Sequence, residues 1–226
     1  MVKILYEDNH LIAAYKKPTD LSQSDKTGDS TLAEEIKKYL AEKYNKPGKV
    51  FLGIIHRLDR PVGGVILFAR TSKALERLNE MFRTREVKKT YLAVVKERPP
   101  EDEAVLNHFL KKNEKQNKTY VYDNEVKGSK KATLSYRLAG RSERYYLLEI
   151  ELHSGRHHQI RAQLAKIGCP VKGDLKYGYP RSNEDSSISL FARRLEFNHP
   201  VTKKRISITS HFPEGDVWKL FSNAEV

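Results

Sequence analysis

Apolar residues recur along the chain with two periods, and the period decides which element each segment predicts. Leu32, Ile36 and Leu40 lie on one helical stripe. Thr31 precedes this stripe, and Glu34 three residues later completes a capping box. The pattern of the first half predicts two strands within 2–16, a helix from Thr31 to a break at 45–48, a buried strand at 65–70, a second helix from Thr71 or Ser72, and a strand at 89–96.

The second half of the chain mostly follows a period of two, which is typical of strands. Strands are predicted near 104–110, 119–123, 132–139, 145–152, 189–198 and 204–211. A helix is predicted at 156–167, with Gly168 as its C-cap, and a short one at 217–221. Polar stretches predict loops at 17–30, 111–118, 123–131 and 174–188. Because few strands alternate strictly with helices, the pattern indicates an α+β domain on a mostly antiparallel sheet.

Length and composition narrow the class of protein. The 226 residues suit one domain, which we expect to divide into two lobes around a cleft. No apolar run approaches about 18 residues, so we expect no membrane span. The start of the chain does not resemble a signal peptide. Cys169 is the only cysteine, which excludes an intramolecular disulfide and a thiolate zinc cage. These features favour a cytoplasmic protein.

The net charge of +13 indicates a polyanionic partner, because lysine and arginine release condensed counterions when they neutralise phosphates. A protein with a basic surface and no polyanionic partner could have the same net charge. The positive residues are unevenly distributed, however, and concentrate at 83–96, 111–131 and 193–205. This segregation favours a binding face.

Segment 53–65 places one carboxylate between two guanidinium groups. Asp59 lies between Arg57 and Arg60, and a proline and two glycines follow closely. Fixed positive charge on both sides favours the ionised carboxylate, which can act as a nucleophile. The residues alone favour the alternative of a structural ion pair at a turn.

Tyr91 and Arg161 are further candidates, on a strand and a helix respectively. Tyr91 shares its strand face with Ala93 and Val95, where a tyrosine is more often a core aromatic with a paired hydroxyl. Arg161 borders the buried stripe of its helix. It therefore either needs a carboxylate partner, for which Asp59 is the candidate, or extends its charge into solvent.

Three histidines, His153, His157 and His158, raise the question of a metal site. Adjacent helical residues point about 100° apart, and no acidic ligand lies nearby in sequence, so we predict no metal here. Arg156 and His157, at the start of the predicted helix, are better placed to contact phosphate.

Five segments, in order, resemble the motifs of the RluA-type pseudouridine synthases and together cover nearly the whole chain. They are 53–65 (H-R-L-D and a turn), 88–95 (K-x-Y-x-A-x-V), 155–161 (G-R-x-H-Q-I-R), 173–178 (G-D-x-x-Y-G) and 190–200 (L-x-A-x-x-L-x-F-x-H-P). The chain departs from this pattern at Val62 and Gly63, where the family usually carries hydroxyl residues. The missing hydroxyl groups affect fine positioning at the turn and leave the Asp59 carboxylate and its neighbouring arginines in place.

The resemblance implies a pseudouridine synthase fold: a bent, mixed and mostly antiparallel sheet with flanking helices and a central active-site cleft. It implies that Asp59 is the catalytic nucleophile and that Tyr91 and Arg161 complete the active site. The RNA-binding residues expected from the resemblance and from charge are Arg57, Arg60, Lys88, Lys89, Arg156 and His157.

The implied reaction isomerises specific uridines in rRNA or tRNA, with no cofactor, no metal and no obligatory protein partner. Larger members carry an N-terminal S4-type domain, and we expect this chain, a monomer, to lack one. Two alternatives are a non-catalytic RNA-binding protein and a glycosidic hydrolase. The hydrolase usually needs two carboxylates, and only Asp59 has a catalytic context.

Overall fold

The strands and helices form largely where the apolar pattern predicts them. The computed structural model describes residues 2–22, 31–224 and 226, so part of the loop predicted at 17–30 lies outside the described residues. The elements in chain order are β1 (Lys3–Glu7), β2 (Leu11–Lys16), α1 (Leu32–Lys43), β3 (Gly53–Ile54), β4 (Gly63–Ala69), α2 (Ser72–Arg83), β5 (Lys88–Val95), β6 (Glu103–Asn113), β7 (Lys118–Tyr122), β8 (Lys130–Arg141), β9 (Tyr146–Leu152), α3 (Gln159–Lys166), β10 (Leu190–Asn198), β11 (Arg205–Thr209) and α4 (Asp216–Lys219).

The chain divides into two compact units, and unit 1 comprises Met1–Lys88 and Ala192–His211. In unit 1, β2 pairs antiparallel with both β1 and β4, β10 lies beside β4, and β11 pairs antiparallel with β10. Ile12 packs with Ile36 of α1, whereas its neighbour Leu11 packs with Leu78 of α2. Helices therefore cover both faces, which explains why every residue of β4 is buried and its sequence is uninterruptedly apolar.

Local signals fix the ends of the helices in unit 1. Thr31 Oγ1 accepts a hydrogen bond from the Glu34 amide, and the Glu34 carboxylate accepts one from the Thr31 amide, which confirms the predicted capping box. Thr71, rather than Ser72, caps α2, because its hydroxyl accepts from the Ala74 amide. Both helices thus begin at a hydroxyl residue that satisfies otherwise unpaired amides.

Unit 2 comprises Lys89–Phe191 and Phe212–Val226. Its strands form an antiparallel sheet in the order β5-β9-β8-β6-β7. The α+β class and the mostly antiparallel sheet are therefore confirmed. No helix in the described part of the chain is long and apolar enough to cross a membrane.

Three predicted boundaries in unit 2 are wrong. Strands β6, β7 and β8 extend into the loops predicted at 111–118 and 123–131, because exposed lysines on one strand face resemble a polar loop. Helix α3 begins at Gln159, three residues later than predicted, because His158 has a left-handed φ of 51°. The loop predicted at 174–188 contains a short 3₁₀ helix and several buried side chains, among them those of Asp174, Tyr177 and Tyr179.

Candidate active site

The turn that carries Asp59 is fixed by backbone hydrogen bonds within unit 1. The Val62 amide donates to the Asp59 carbonyl at 3.0 Å and closes the turn. The Thr19 amide donates to the Arg60 carbonyl at 2.8 Å, and the Arg60 guanidinium donates back to the Thr19 carbonyl at 3.2 Å. Asp59 itself is half-buried. The carboxylate therefore belongs to a backbone segment that a second loop holds in place.

Lys16 is a buried cation next to this turn, and the sequence pattern does not single it out. Its side chain is 0% exposed, and its ammonium donates to the carbonyls of Arg60 at 3.0 Å, of Val62 at 2.8 Å and of its neighbour in sequence at 3.1 Å. Burial lowers the pKa of Lys16 to about 8, and the Asp20 and Asp59 carboxylates oppose that shift. Lys16 thus uses its three N–H donors to clamp the backbone beside Asp59.

Replacing Lys16 by methionine is expected to lower the free energy of unfolding by about 2 kcal/mol, because carbonyls of the turn lose their donors. A reaction that uses Asp59 should slow at least about tenfold, because small displacements of a reacting group slow catalysis steeply. The exposed neighbour Lys17 is the matched control, and Lys17→Met should leave the unfolding free energy unchanged in urea denaturation. Equal unfolding free energies of the two variants would show that the Lys16 ammonium does not stabilise the turn.

The glycine pair after the turn permits close approach of neighbouring backbone. Gly64 has φ +122°, and a Cβ there would lie 2.2 Å from the Ala192 carbonyl oxygen of β10. A Cβ at Gly63 would lie 2.9 Å from Pro18 Cδ. The departure at Val62 and Gly63 therefore has a steric basis, since Gly63 packs against the loop that follows β2.

Arg161 is buried in unit 2 and forms a two-pronged ion pair with Asp174. The Arg161 side chain is 6% exposed and that of Asp174 is 1% exposed. Arg161 Nε lies 2.6 Å from Asp174 Oδ2, and its Nη2 lies 2.9 Å from Oδ1. The alternative of a solvent-extended arginine is therefore wrong. The partner shown for Arg161 is Asp174, and the expected pairing with Asp59 stays a prediction.

Tyr177 lies against the Arg161 guanidinium, and His158 contacts Tyr177. The Arg161 Cζ lies 5.1 Å from the centroid of the Tyr177 ring, a cation–π distance. The Tyr177 hydroxyl accepts from the Thr119 amide at 2.8 Å and lies 3.0 Å from His158 Nδ1. Burial, followed by the nearby Arg161 charge, lowers the pKa of His158 to about 2. His158 is therefore neutral at neutral pH, and its Nδ1 can accept a hydrogen bond from the Tyr177 hydroxyl.

Tyr91, Lys88 and Lys89 lie together on β5 and differ in exposure. Tyr91 is 9% exposed and pairs across the sheet with Ile150 of β9. Lys88 is exposed, as a phosphate contact requires, whereas Lys89 is only 8% exposed. Lys89 points to the opposite face of the strand from Lys88, because successive strand residues alternate. Its burial leaves little surface for a phosphate.

Arg156 and His157 precede α3 rather than beginning it, which corrects the reason for expecting phosphate contacts there. The Arg156 guanidinium donates to the Lys131 carbonyl at 3.2 Å. His157 Nδ1 lies 2.9 Å from Thr119 Oγ1, and its ring stacks on that of His158 with centroids 3.7 Å apart. The dipole of α3 therefore does not start at either residue.

Each unit holds part of the predicted site. Unit 1 brings Arg57, Asp59 and Arg60 together on one turn. Arg57 is exposed and has no hydrogen bond or ion pair with another described residue. Unit 2 contains Tyr91 and the buried Arg161. Sequence reasoning missed Lys16, and it missed Asp174 as the partner of Arg161, although Asp174 lies in one of the five matched segments.

A family model described as RNA pseudouridylate synthase matches residues 10–166. The tRNA pseudouridine synthase C of Haemophilus influenzae is 32% identical over 243 residues, covering 99% of this chain and 97% of that protein. An uncharacterized RNA pseudouridine synthase of Aquifex aeolicus is 30% identical over 212 residues, covering 88% of this chain. The match spans 66% of the Aquifex protein, less than two thirds of its length.

A solved structure has the same fold. The human RNA pseudouridylate synthase domain containing 4 matches with a TM-score of 0.81 and 21% sequence identity. The match covers 99% of this chain and 94% of the human chain. The predicted pseudouridine synthase fold is thereby confirmed.

Proposed function

Because the chain belongs to the RluA-type RNA pseudouridylate synthase family, we propose that it isomerises uridine in tRNA or rRNA to pseudouridine. The reaction breaks the N1–C1′ bond of uridine and joins C1′ to C5 of the same base, while the proton on C5 is lost and N1 gains one. Atoms and electrons balance without an external reactant, so we propose an enzyme that consumes no cofactor.

The observation that carries this proposal is the fixed turn with its single carboxylate. Asp59 is the nucleophile, and the hydrogen bonds from Lys16 and Thr19 to the Arg60 carbonyl hold its backbone. A non-catalytic RNA-binding protein has no use for a carboxylate in a basic surface, because it repels phosphate. The rigid support of Asp59 therefore favours catalysis over simple binding.

Tyr91 and Arg161 have supporting roles in this mechanism. The Tyr91 ring stacks on the target uracil, and its phenol takes part in proton transfer. Arg161 supplies positive charge to the active site, and its pairing with Asp174 keeps the guanidinium in one orientation. Arg161 therefore acts through the position of its charge, since its Nε and Nη2 are already bonded to Asp174.

The target uridine must leave its stack before it can react, at a cost of a few kcal/mol. Arg57 is exposed, and we propose that it holds the flipped nucleotide. Backbone phosphates are contacted by other basic residues, namely Arg60, Lys88, Arg156 and His157, with Lys89 the weakest candidate because of its burial. We further propose a cytoplasmic monomer that needs no protein partner, in keeping with its single cysteine, the free and buried Cys169.

The test is incubation with unmodified tRNA and rRNA transcripts, followed by carbodiimide labelling and reverse transcription. Pseudouridine should form at discrete uridines without release of free uracil. A stem-loop that folds without magnesium should still be converted in EDTA. Release of uracil would identify a glycosidic hydrolase, and tight binding without any product would identify an RNA-binding protein.

A further inference from the structure

One face of the unit 2 sheet carries aromatic and basic side chains at its outer edge. On β7, Tyr120 lies opposite Lys111 of β6, and Tyr122 lies opposite Phe109. On the other side of β6, Lys131 of β8 lies opposite Phe109. Directly opposed residues share a sheet face, and so do alternate residues along one strand. We call these five residues the platform.

The opposite face of these strands is covered by α3, so the platform faces away from the helix. Gln163 of α3 donates to the carbonyls of Leu106 at 3.2 Å and Ala132 at 3.4 Å. Side chains on that face are buried, Ala132 at 0% exposure and Leu110 at 4%. On the platform, in contrast, Tyr120 is 41% exposed and Tyr122 is 37% exposed. Two large aromatic rings therefore face solvent, and none of the described elements covers them.

Positive charge surrounds these rings. Lys111 and Lys131 are exposed members of the platform, and the Lys118 ammonium lies 6.0 Å from the Tyr120 ring centroid. Farther along the same face, Glu149 is held in an ion pair by Arg137. Protein–protein interfaces are enriched in tyrosine but depleted in lysine. Exposed tyrosines alternating with lysines instead match surfaces that stack nucleobases and neutralise phosphates.

We propose that the platform binds a single-stranded segment of the substrate RNA, outside the uridine that reacts. The identity of this polyanion as RNA rests on the proposed function. Tyr120 and Tyr122 are two residues apart on a strand, about 7 Å, so each ring can stack one base. Lys111 and Lys131 contact the phosphates that flank those bases. Single-stranded loops are the RNA elements whose bases are free for such stacking on a sheet surface.

The test compares binding of a single-stranded RNA of about 12 nucleotides with that of a duplex of equal length, by fluorescence anisotropy. Tyr120→Ala combined with Tyr122→Ala should raise the Kd for the single strand about tenfold or more. The Kd for the duplex should change less than about threefold, because duplex bases are already stacked. Tyr120→Phe with Tyr122→Phe should bind as wild type, because phenylalanine keeps the ring. This pair also controls for folding.

The lysines are tested through salt dependence. Lys111→Gln with Lys131→Gln should reduce the log–log slope of affinity against salt by about 0.7 for each lost phosphate contact. Lys37→Gln with Lys38→Gln on the exposed face of α1 makes the same change of net charge and should leave the slope unaltered.

If Tyr120→Ala with Tyr122→Ala binds the single strand as tightly as wild type, the platform does not bind RNA, whatever other partner that face has. Equal losses on strand and duplex also overturn it, because stacking would then play no part. Binding is measured without turnover, so the outcome is independent of whether pseudouridine forms. If pseudouridine forms but the tyrosines do not affect single-strand binding, only the platform is overturned. If the tyrosines affect binding but no pseudouridine forms, only the proposed function is overturned.

Discussion

Asp59→Asn is expected to abolish pseudouridine formation while leaving RNA binding largely intact. Asparagine has the shape of aspartate, so the turn and its hydrogen bonds to Lys16 and Thr19 are retained. Its amide is not a nucleophile. We expect single-turnover conversion to fall roughly a thousandfold or more, equivalent to about 4 kcal/mol of activation free energy. The Kd for the same RNA, measured by anisotropy, should remain unchanged or become slightly lower as one negative charge is removed.

A matched control separates this effect from a general loss of charge. Asp216 is 99% exposed on α4, and Asp216→Asn should convert RNA at the wild-type rate. Turnover of Asp59→Asn within tenfold of wild type would remove Asp59 from the mechanism. Loss of RNA binding together with turnover would instead assign Asp59 to the architecture of the turn.

Asp174→Asn is expected to lower the free energy of unfolding by about 3–5 kcal/mol, because it removes the carboxylate that binds the buried Arg161 guanidinium through two hydrogen bonds. The pair is almost fully desolvated, with 6% and 1% of the two side chains exposed. Neutralising one partner removes the attraction but retains the cost of burying the other charge. Urea denaturation followed by circular dichroism measures the change directly.

The exposed pair Arg98–Asp102 provides the comparison for this prediction. Its side chains are 63% and 64% exposed, and Asp102→Asn should change stability by less than about 1 kcal/mol. Replacing both buried partners, Arg161→Met with Asp174→Leu, should recover much of the lost stability, because neither charge then remains buried. Equal effects of Asp174→Asn and Asp102→Asn would show that Arg161 does not depend on Asp174.

The sequence predicted those parts of the fold that depend on short-range signals. The capping box at Thr31 acts over three residues, and the apolar run in β4 reflects helices on both sheet faces. Motif order also predicted the family, and the family model confirms it. The cap, the apolar run and each single motif are short stretches of neighbouring residues, so no tertiary knowledge is needed to find them.

The sequence could not predict contacts that depend on a choice between distant groups. Arg161 needed a carboxylate, and the sequence did not reveal Asp174, which binds both Nε and Nη2 of its guanidinium. Lys16 ends β2 and resembles a solvated lysine, although two carbonyls more than forty residues away accept hydrogen bonds from it. The start of α3 was misplaced because the left-handed backbone at His158 is uncommon for a residue other than glycine.

The order of segments in unit 1 has a consequence for how the protein is synthesised. The chain leaves unit 1 after Lys88 and returns to it at Ala192, so β10 and β11 emerge from the ribosome long after β2 and β4. Pairings between such distant segments slow folding, because a long loop must close first. During translation the edge of β4 that β10 will occupy stays uncovered, and the nascent chain is exposed to aggregation for that interval.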